Sequence, residues 1–200
     1  MRIDNNEGIK MKIIGIYSSA NAKGNSATIL REALIGAKLA KAEVDEIALS
    51  KSNIGFCKAC MYCVRKGKCL QDDDFEDICK KILDADGIIF SSPTFSCAPN
   101  IVMKNFIERL KLFKYIASST LGGKYIIGLS TAKSFGANKT AKYLASIGIG
   151  SIYIKSHITG TLGVLLRDGK TINDMPNYLK KARALGTKMV KDYNKKVLIH

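Results

Sequence analysis

The chain has 200 residues, of which 46% are hydrophobic and 24% charged, and these values fit one globular domain with a sizeable core. No apolar run approaches the length of a membrane span and no signal peptide opens the chain, so we expect a cytoplasmic protein with no membrane partner. Lys and Arg outnumber Asp and Glu by 32 to 17, a net charge of +15, but they are scattered and form no nucleic-acid motif. We therefore expect a solvated basic surface and no nucleic-acid partner.

The first strand and helix follow a polar N-terminal segment. Met1 to Lys10 lacks periodicity and is expected to be a flexible extension, with a single domain from residue 11 to residue 200. Lys12–Tyr17 is a short apolar, β-branched run, typical of a buried parallel strand. Ser18–Ser26 is rich in hydroxyl and amide side chains, and Ala27–Lys41 then repeats apolar residues at helical spacing.

This strand, polar loop and helix together form a candidate phosphate site. Backbone N–H groups and the helix dipole supply positive potential, while the hydroxyls and amides donate further hydrogen bonds. The loop matches neither G-x-G-x-x-G nor a Walker motif, which disfavours dinucleotide and NTP folds. A plain strand-to-helix turn capped by Asn or Ser is the alternative.

A cysteine-rich loop follows the predicted second strand, Glu43–Leu49. Four of the six cysteines fall within thirteen residues at the spacing C-x2-C-x2-C-x5-C: Cys57, Cys60, Cys63 and Cys69. Gly67 lets the backbone fold back, so that four thiolates can converge on an iron–sulfur cluster. Structural zinc, disulfides and unligated thiols are the alternatives. Zinc sites usually space two cysteine pairs further apart, and disulfides need an oxidising compartment.

An acidic run precedes the next predicted helix. Asp72, Asp73 and Asp74 stand before the helical pattern Phe75–Leu83, where capping and dipole complementation are preferred to metal binding. Cys79 falls on the apolar side of this helix and is expected to lie in the core.

The second half of the chain continues the alternation of strands and helices. The predicted strands are Asp86–Ser92, Lys124–Ser130 and a fifth near Ser151–Ile154. The predicted helices run from Asn100 to Ala117, from the loop Thr131–Ala137 to Ile147, and from Pro176 to Tyr193. Thr159–Asp174 is expected to be irregular, and His157 to be a polar loop residue.

Five strands alternating with helices predict an α/β fold, a doubly wound parallel sheet with helices on both faces. In such sheets, ligands bind beyond the carboxyl ends of the strands, at the switch in strand order. The unusual loops after the first, third and fourth predicted strands all lie at that edge. They are therefore predicted to build one composite site.

From about Met11 to Lys191, the chain resembles the flavodoxin-like NAD(P)H-dependent FMN reductases, and among them the iron–sulfur flavoproteins. Ser91–Phe95 is similar to the loop that lies against the isoalloxazine ring, and Lys104–Arg109 to the segment that follows it. Leu179–Gly186 resembles the C-terminal helix. The first loop departs from the family pattern at Ala20 and Asn21, where proline and arginine are usual. The resemblance implies a flavodoxin-like strand order of 2-1-3-4-5.

The resemblance also implies two cofactors. FMN would be bound by Ser19, Asn21, Lys23, Asn25, Ser26, Pro93, Thr94, Phe95, Ser96, Thr131, Ala132, Ser134, Phe135 and Gly136. A [4Fe–4S] cluster would be held by Cys57, Cys60, Cys63 and Cys69, while Cys97 is expected to fill space in the flavin loop. No catalytic side chain is predicted, because a flavin carries the electrons itself.

The function implied is that of an FMN-dependent oxidoreductase that passes electrons between FMN and the cluster, with NAD(P)H as a candidate donor. A homodimer or tetramer is expected, and an acidic ferredoxin-type carrier is a candidate partner. The alternatives are a cluster-free NAD(P)H-dependent FMN or quinone reductase, a non-enzymatic flavodoxin-like adaptor and a nucleic-acid binder.

Overall fold

The computed structural model of the protein describes residues 10–114, 121–147 and 156–196. The strands are β1 (Lys12–Tyr17), β2 (Glu43–Ala48), β3 (Gly87–Phe95), β4 (Ala98–Pro99), β5 (Tyr125–Ala132) and β6 (His157–Leu165). The helices are α1 (Asn25–Leu39), α2 (Tyr62–Lys66), α3 (Phe75–Asp84), α4 (Ile101–Lys114), α5 (Ala137–Ser146) and α6 (Pro176–Asn194). Short 3-10 turns span Leu49–Lys51 and Ile172–Asp174. All of the predicted N-terminal extension except Lys10 lies outside the described residues.

The five long strands are parallel and lie in the order β2-β1-β3-β5-β6. The two-residue β4 pairs antiparallel with the end of β3. Without β4, this is the predicted order 2-1-3-4-5, so the doubly wound, flavodoxin-like sheet is confirmed.

Two predictions along the chain were wrong. His157 was expected in a loop and Thr159–Asp174 was expected to be irregular, but β6 begins at His157 and includes Thr159–Leu165. The fifth strand expected near Ser151–Ile154 lies outside the described residues. β6 carries glycines, which disguise its apolar pattern. A Cβ on Gly163 would lie 2.3 Å from the backbone nitrogen of Asn138, so α5 packs too closely there for any side chain.

The core forms two apolar layers, one on each face of the sheet. α1 and α6 cover one face, while α3, α4 and α5 cover the other. Ile88 and Ile89 are adjacent on β3 and fully buried in opposite layers, as the strand pleat requires. Among the described residues, no helix combines the length and apolarity needed to cross a bilayer.

α1 and α6 cross with their backbones in contact. A Cβ on Gly36 would lie 1.9 Å from the carbonyl oxygen of Arg183, and one on Gly186 would lie 1.8 Å from that of Ala33. Thr187 Oγ1 also donates to the Gly36 carbonyl, at 3.0 Å. Glycine at both positions is therefore what lets α6 seal this face of the sheet.

Candidate functional site

A pocket of about 380 Å³ opens at the carboxyl edge of the sheet, beside the last residues of β3 and β5 and the loops that follow them. Every predicted flavin-binding residue of these two segments except Gly136 lines it, and so does Asn25. The full lining is Asn25, Pro93, Thr94, Phe95, Ser96, Thr131, Ala132, Lys133, Ser134, Phe135 and Leu166. The structure therefore brings together residues that are far apart in the sequence.

Two aromatic side chains of this lining are largely exposed. Phe95 and Phe135 each keep 64% of their surface exposed, although large apolar side chains are usually buried. Phe95 ends β3 and Phe135 lies in the loop after β5, and both line the same pocket. Such a pair suits contact with a flat aromatic ligand, because aromatic rings gain stacking energy beyond the area they bury.

The loop after β1 is held as a tight turn by its own side chains. Ser19 Oγ donates to the Asn21 carbonyl at 3.0 Å, and Asn21 Oδ1 accepts from the Lys23 N–H at 2.8 Å. Gly24 N–H also donates to the Asn21 carbonyl, at 2.9 Å. α1 then begins with no acidic residue in its first turn, so its N-terminus keeps the positive potential that favours an anionic group.

Asn25 has two roles at the start of α1. It lines the carboxyl-edge pocket, and its Oδ1 accepts a hydrogen bond from the Ile172 N–H at 2.9 Å. Because Oδ1 is engaged, contact with a phosphate would come from the Nδ2 donors. The same side chain therefore fixes the first loop to the turn before α6.

Buried hydroxyl groups join the loops below the pocket. Ser26 Oγ pairs with Thr131 Oγ1 at 2.8 Å, and Ser91 Oγ donates to the Ser26 carbonyl at 2.7 Å. Ser26 is 2% exposed. The Ser26 hydroxyl thus links the start of α1 to the end of β5, and direct contact of Ser26 with FMN stays a prediction.

Gly136 supports the pocket from beside it. Its φ of +87° is the left-handed conformation that favours glycine, and a Cβ there would lie 2.8 Å from Cys97 Cα. Cys97 is half-buried in this contact. The two loops thus pack together through this pair.

A second pocket, of about 150 Å³, is lined by all four loop cysteines, Cys57, Cys60, Cys63 and Cys69. None of them forms a disulfide. Burial raises the pKa of the Cys63 thiol, and negative charge on the other three loop sulfurs would raise it further, because they lie close by. The sequence motif therefore folds into one thiol-lined site.

The backbone of this cysteine loop turns sharply. Ala59 and Met61 have φ of +49° and +56°, which is uncommon for residues other than glycine and costs conformational energy. Gly67 has φ of +73° and ends α2, so the chain turns back towards Cys69 as predicted. Within the described ranges, no three His, Cys, Asp or Glu side chains approach closely enough to hold a metal ion. The four sulfurs line one pocket and fit a thiolate-ligated cluster in number and type.

Comparison with known proteins places the chain in a family. Residues 11–158 match the model of the NADPH-dependent FMN reductases. The chain belongs to this family. It is therefore a flavin-dependent oxidoreductase, and the resemblance seen in the sequence is confirmed.

Relatives of this FMN reductase carry a more specific description. An iron–sulfur flavoprotein of Methanocaldococcus jannaschii is 30% identical over 188 residues, covering 90% of this chain and 95% of that protein. An iron–sulfur flavoprotein of Archaeoglobus fulgidus is 33% identical over 115 residues, which are 58% of this chain and about half, 51%, of the relative's length.

Solved structures show the same fold at low identity. An NAD(P)H:quinone oxidoreductase from Methanothermobacter marburgensis superposes with a TM-score of 0.66 at 17% identity, covering 90% of this chain and 98% of that one. A flavodoxin from the Archaea gives a TM-score of 0.57 at 14% identity, over 91% and 98% of the two chains. Both support the flavodoxin-like fold of this FMN reductase.

A buried ion pair in this FMN reductase borders the cysteine pocket and was not predicted. Arg109 is 3% exposed, and its Nη1 contacts Asp73 Oδ2 at 2.5 Å and the Gly55 carbonyl at 3.1 Å. Its Nη2 donates to Cys69 Sγ at 3.1 Å. The guanidinium also lies 4.2 Å from the centre of the Phe75 ring.

Asp73 combines the predicted capping role with this ion pair. Its Oδ1 accepts from the Phe75 N–H at 3.1 Å, at the start of α3. Burial opposes ionisation of Asp73, but the hydrogen bonds from Arg109 and two backbone N–H groups outweigh that effect. The pKa of Asp73 therefore lies below its usual range.

The residues that the sequence missed have different origins. Lys133 lies inside a loop already identified as part of the site, and Leu166 follows β6, the strand that was not recognised. Arg109 falls within the Lys104–Arg109 segment that carried the family resemblance. Its contact with Asp73 spans 36 residues, and no local pattern indicates it.

Proposed function

We propose that this protein passes electrons between FMN in the carboxyl-edge pocket and a [4Fe–4S] cluster held by Cys57, Cys60, Cys63 and Cys69. The observation that carries the proposal is that all four cysteines of one short motif line a single pocket while none is engaged in a disulfide. The relatives described as iron–sulfur flavoproteins support it. When bound, FMN supplies two-electron chemistry and the cluster one-electron chemistry.

The chain's own residues would bind and orient the flavin. The N-terminus of α1 and the Nδ2 group of Asn25 would hold the phosphate, with Ser19, Asn21 and Lys23 shaping the turn before them. Phe95 and Phe135 would contact the ring system. No side chain needs to transfer a proton for this role to be filled.

Basic residues surround the cysteine motif. Lys58, Arg65, Lys66 and Lys68 lie between or beside the four proposed ligands. A four-thiolate cluster is anionic, and positive charge nearby stabilises its reduced form. The same charge would attract an acidic ferredoxin-type carrier, which we propose as an electron-transfer partner alongside NAD(P)H as a donor.

We further propose a homodimer or tetramer. Phe56, Leu70 and Ile101 are each more than 60% exposed, at 69%, 62% and 68%. Phe56 and Leu70 flank the cysteine motif, and Ile101 opens α4. Exposed apolar side chains of this size support a protein contact. Light scattering that showed a monomer holding full flavin and cluster would contradict this assembly.

A cluster-free NAD(P)H-dependent FMN or quinone reductase is the second candidate. One observation favours it: the fold is shared with an NAD(P)H:quinone oxidoreductase. In that case, the cysteine pocket would hold free thiols.

Anaerobic purification with counts of FMN, iron and acid-labile sulfide separates the two candidates. Cys60→Ala should lose the iron and sulfide while keeping FMN, because the flavin pocket is formed by other loops. Cys97→Ser is the matched control, since Cys97 lies outside the cysteine pocket and serine nearly keeps the volume that packs beside Gly136, so this variant should keep both cofactors. Wild-type protein with FMN but no iron or sulfide would leave the cluster-free reductase, and stoichiometric zinc would make the loop structural.

A further inference from the structure

Among the described residues that line the cysteine pocket, Arg109 is the only buried charged one. It is 3% exposed, and its partner Asp73 has only 6% of its side chain exposed. A buried cation is costly unless it is paired, and this one is paired on one side of its planar group. Its other terminal nitrogen, Nη2, is directed at a cysteine sulfur.

The hydrogen bond from Arg109 makes Cys69 different from the other three cysteines. Nη2 lies 3.1 Å from Cys69 Sγ. The Cys69 backbone is held as well, because its N–H donates to Glu76 Oε1 at 2.7 Å. Cys69 is thus fixed through both its side chain and its main chain.

The guanidinium has little freedom to move away. Asp73 and the Gly55 carbonyl hold Nη1, and the Phe75 ring lies against the group. A guanidinium is always charged and its donors have a fixed planar geometry. A donor held in this way needs no reorganisation when the charge on its acceptor changes.

We propose that Arg109 is a positioning residue that holds Cys69 as a cluster ligand and raises the cluster's reduction potential through this N–H···S hydrogen bond. The proposal rests on the proposed function. One-electron reduction adds a negative charge that is shared with the ligand sulfurs, so a fixed N–H donor interacts more strongly with the reduced form. Asp73 offsets the net charge of Arg109, whereas the direction of the N–H bond towards sulfur is retained.

The test compares cluster reduction potentials in anaerobic redox titrations with dithionite as the reductant. Arg109→Gln removes both the positive charge and the planar guanidinium with its fixed N–H donors. Arg109→Lys keeps the positive charge but loses the planar guanidinium. Arg183→Gln is the matched control, because it removes an arginine paired with Glu32 on the opposite face of the sheet. We expect the reduced-to-oxidised ratio at a fixed potential to fall about tenfold in Arg109→Gln, a negative shift of about 59 mV. Arg109→Lys should shift less, and Arg183→Gln should not shift.

The outcomes separate this inference from the proposed function. Wild-type protein without iron or sulfide would overturn both. A wild-type cluster whose potential is unchanged in Arg109→Gln and Arg109→Lys would overturn the role of Arg109 and leave the proposed function standing. If Arg109→Gln retains FMN but holds no cluster, the potential of the cluster in Arg109→Lys is the deciding measurement. A potential more negative than that of the wild type would support the inference, and an unchanged potential would overturn it.

Discussion

Changing Asn25 to aspartate would test the proposed phosphate site, because it replaces only the side-chain NH2 group with an oxygen. Asn25→Asp keeps an oxygen that can accept from the Ile172 N–H, so the link to the turn before α6 is preserved. It replaces the Nδ2 donors with a negatively charged oxygen at the start of α1. The change therefore removes a donor from the proposed phosphate site while leaving the loop in place.

The size of the effect follows from the contact that is lost. A hydrogen bond to a charged group contributes about 1.5–3 kcal/mol. Because about 1.4 kcal/mol is a factor of ten in affinity, FMN binding should weaken about ten- to a hundredfold. Repulsion between the new carboxylate and the phosphate adds to this loss, whereas riboflavin, which has no phosphate, should bind as it does to the wild type.

Titration of flavin fluorescence with apoprotein measures both affinities. Asn25→Ala is the companion variant: it removes the Nδ2 donors and the bond to Ile172, so it should weaken riboflavin binding as well if that bond shapes the pocket. Equal losses of FMN and riboflavin affinity in Asn25→Asp, or no loss of either, would refute the placement of the phosphate.

Three further predictions concern the scaffold. Gly186→Ala should lower the free energy of unfolding in urea by about 1–3 kcal/mol, because its Cβ would meet the Ala33 carbonyl at 1.8 Å; unchanged stability would contradict the backbone contact. Asp73→Asn should make the free energy of unfolding depend less on pH in acid. Folding lowers the pKa of Asp73 below its ordinary value of 3.8, so the ionised side chain stabilises the fold fully above that pH, and this stabilisation is lost as the pH falls through the pKa of the folded state. Thermal unfolding between about pH 2 and pH 5 would measure this, and parallel curves for the two proteins would refute it. Burial raises the pKa of Cys79 to about 12, so iodoacetamide at pH 8 should modify it only after unfolding, as peptide mass spectrometry would show; native labelling at the rate of the loop cysteines would contradict its burial.

The parallel sheet could be predicted because its physical signals are local, whereas its strand order was implied by the family resemblance. β1, β3 and β5 are continuous apolar runs bounded by polar loops, and such runs are typical of strands buried on both faces. β6 has no such run, since Gly160 and Gly163 stand where helices pack closely against the strand. Glycines that are needed for close helix packing thus interrupt the apolar pattern by which a strand is recognised in a sequence.

The candidate site divides in the same way. The carboxyl-edge pocket could be predicted from topology, because parallel strands bring the ends of β3 and β5 to one edge. The cysteine motif was visible from its spacing. Arg109 could not be placed, because its contacts with Asp73 and Cys69 depend on how α4 packs against the chain between β2 and α3.

The hydrogen bond between Asn25 and Ile172 joins residues 147 positions apart, and it has a consequence for synthesis. A nascent chain that ends before Ile172 contains the residues of the first strand and helix, but it lacks the partner that holds the Asn25 side chain. It also lacks α6, so the apolar face of α1 stays exposed to solvent. FMN should therefore bind only after the ribosome has synthesised the chain through α6. Before that point, the incomplete chain would be bound by chaperones and not by FMN.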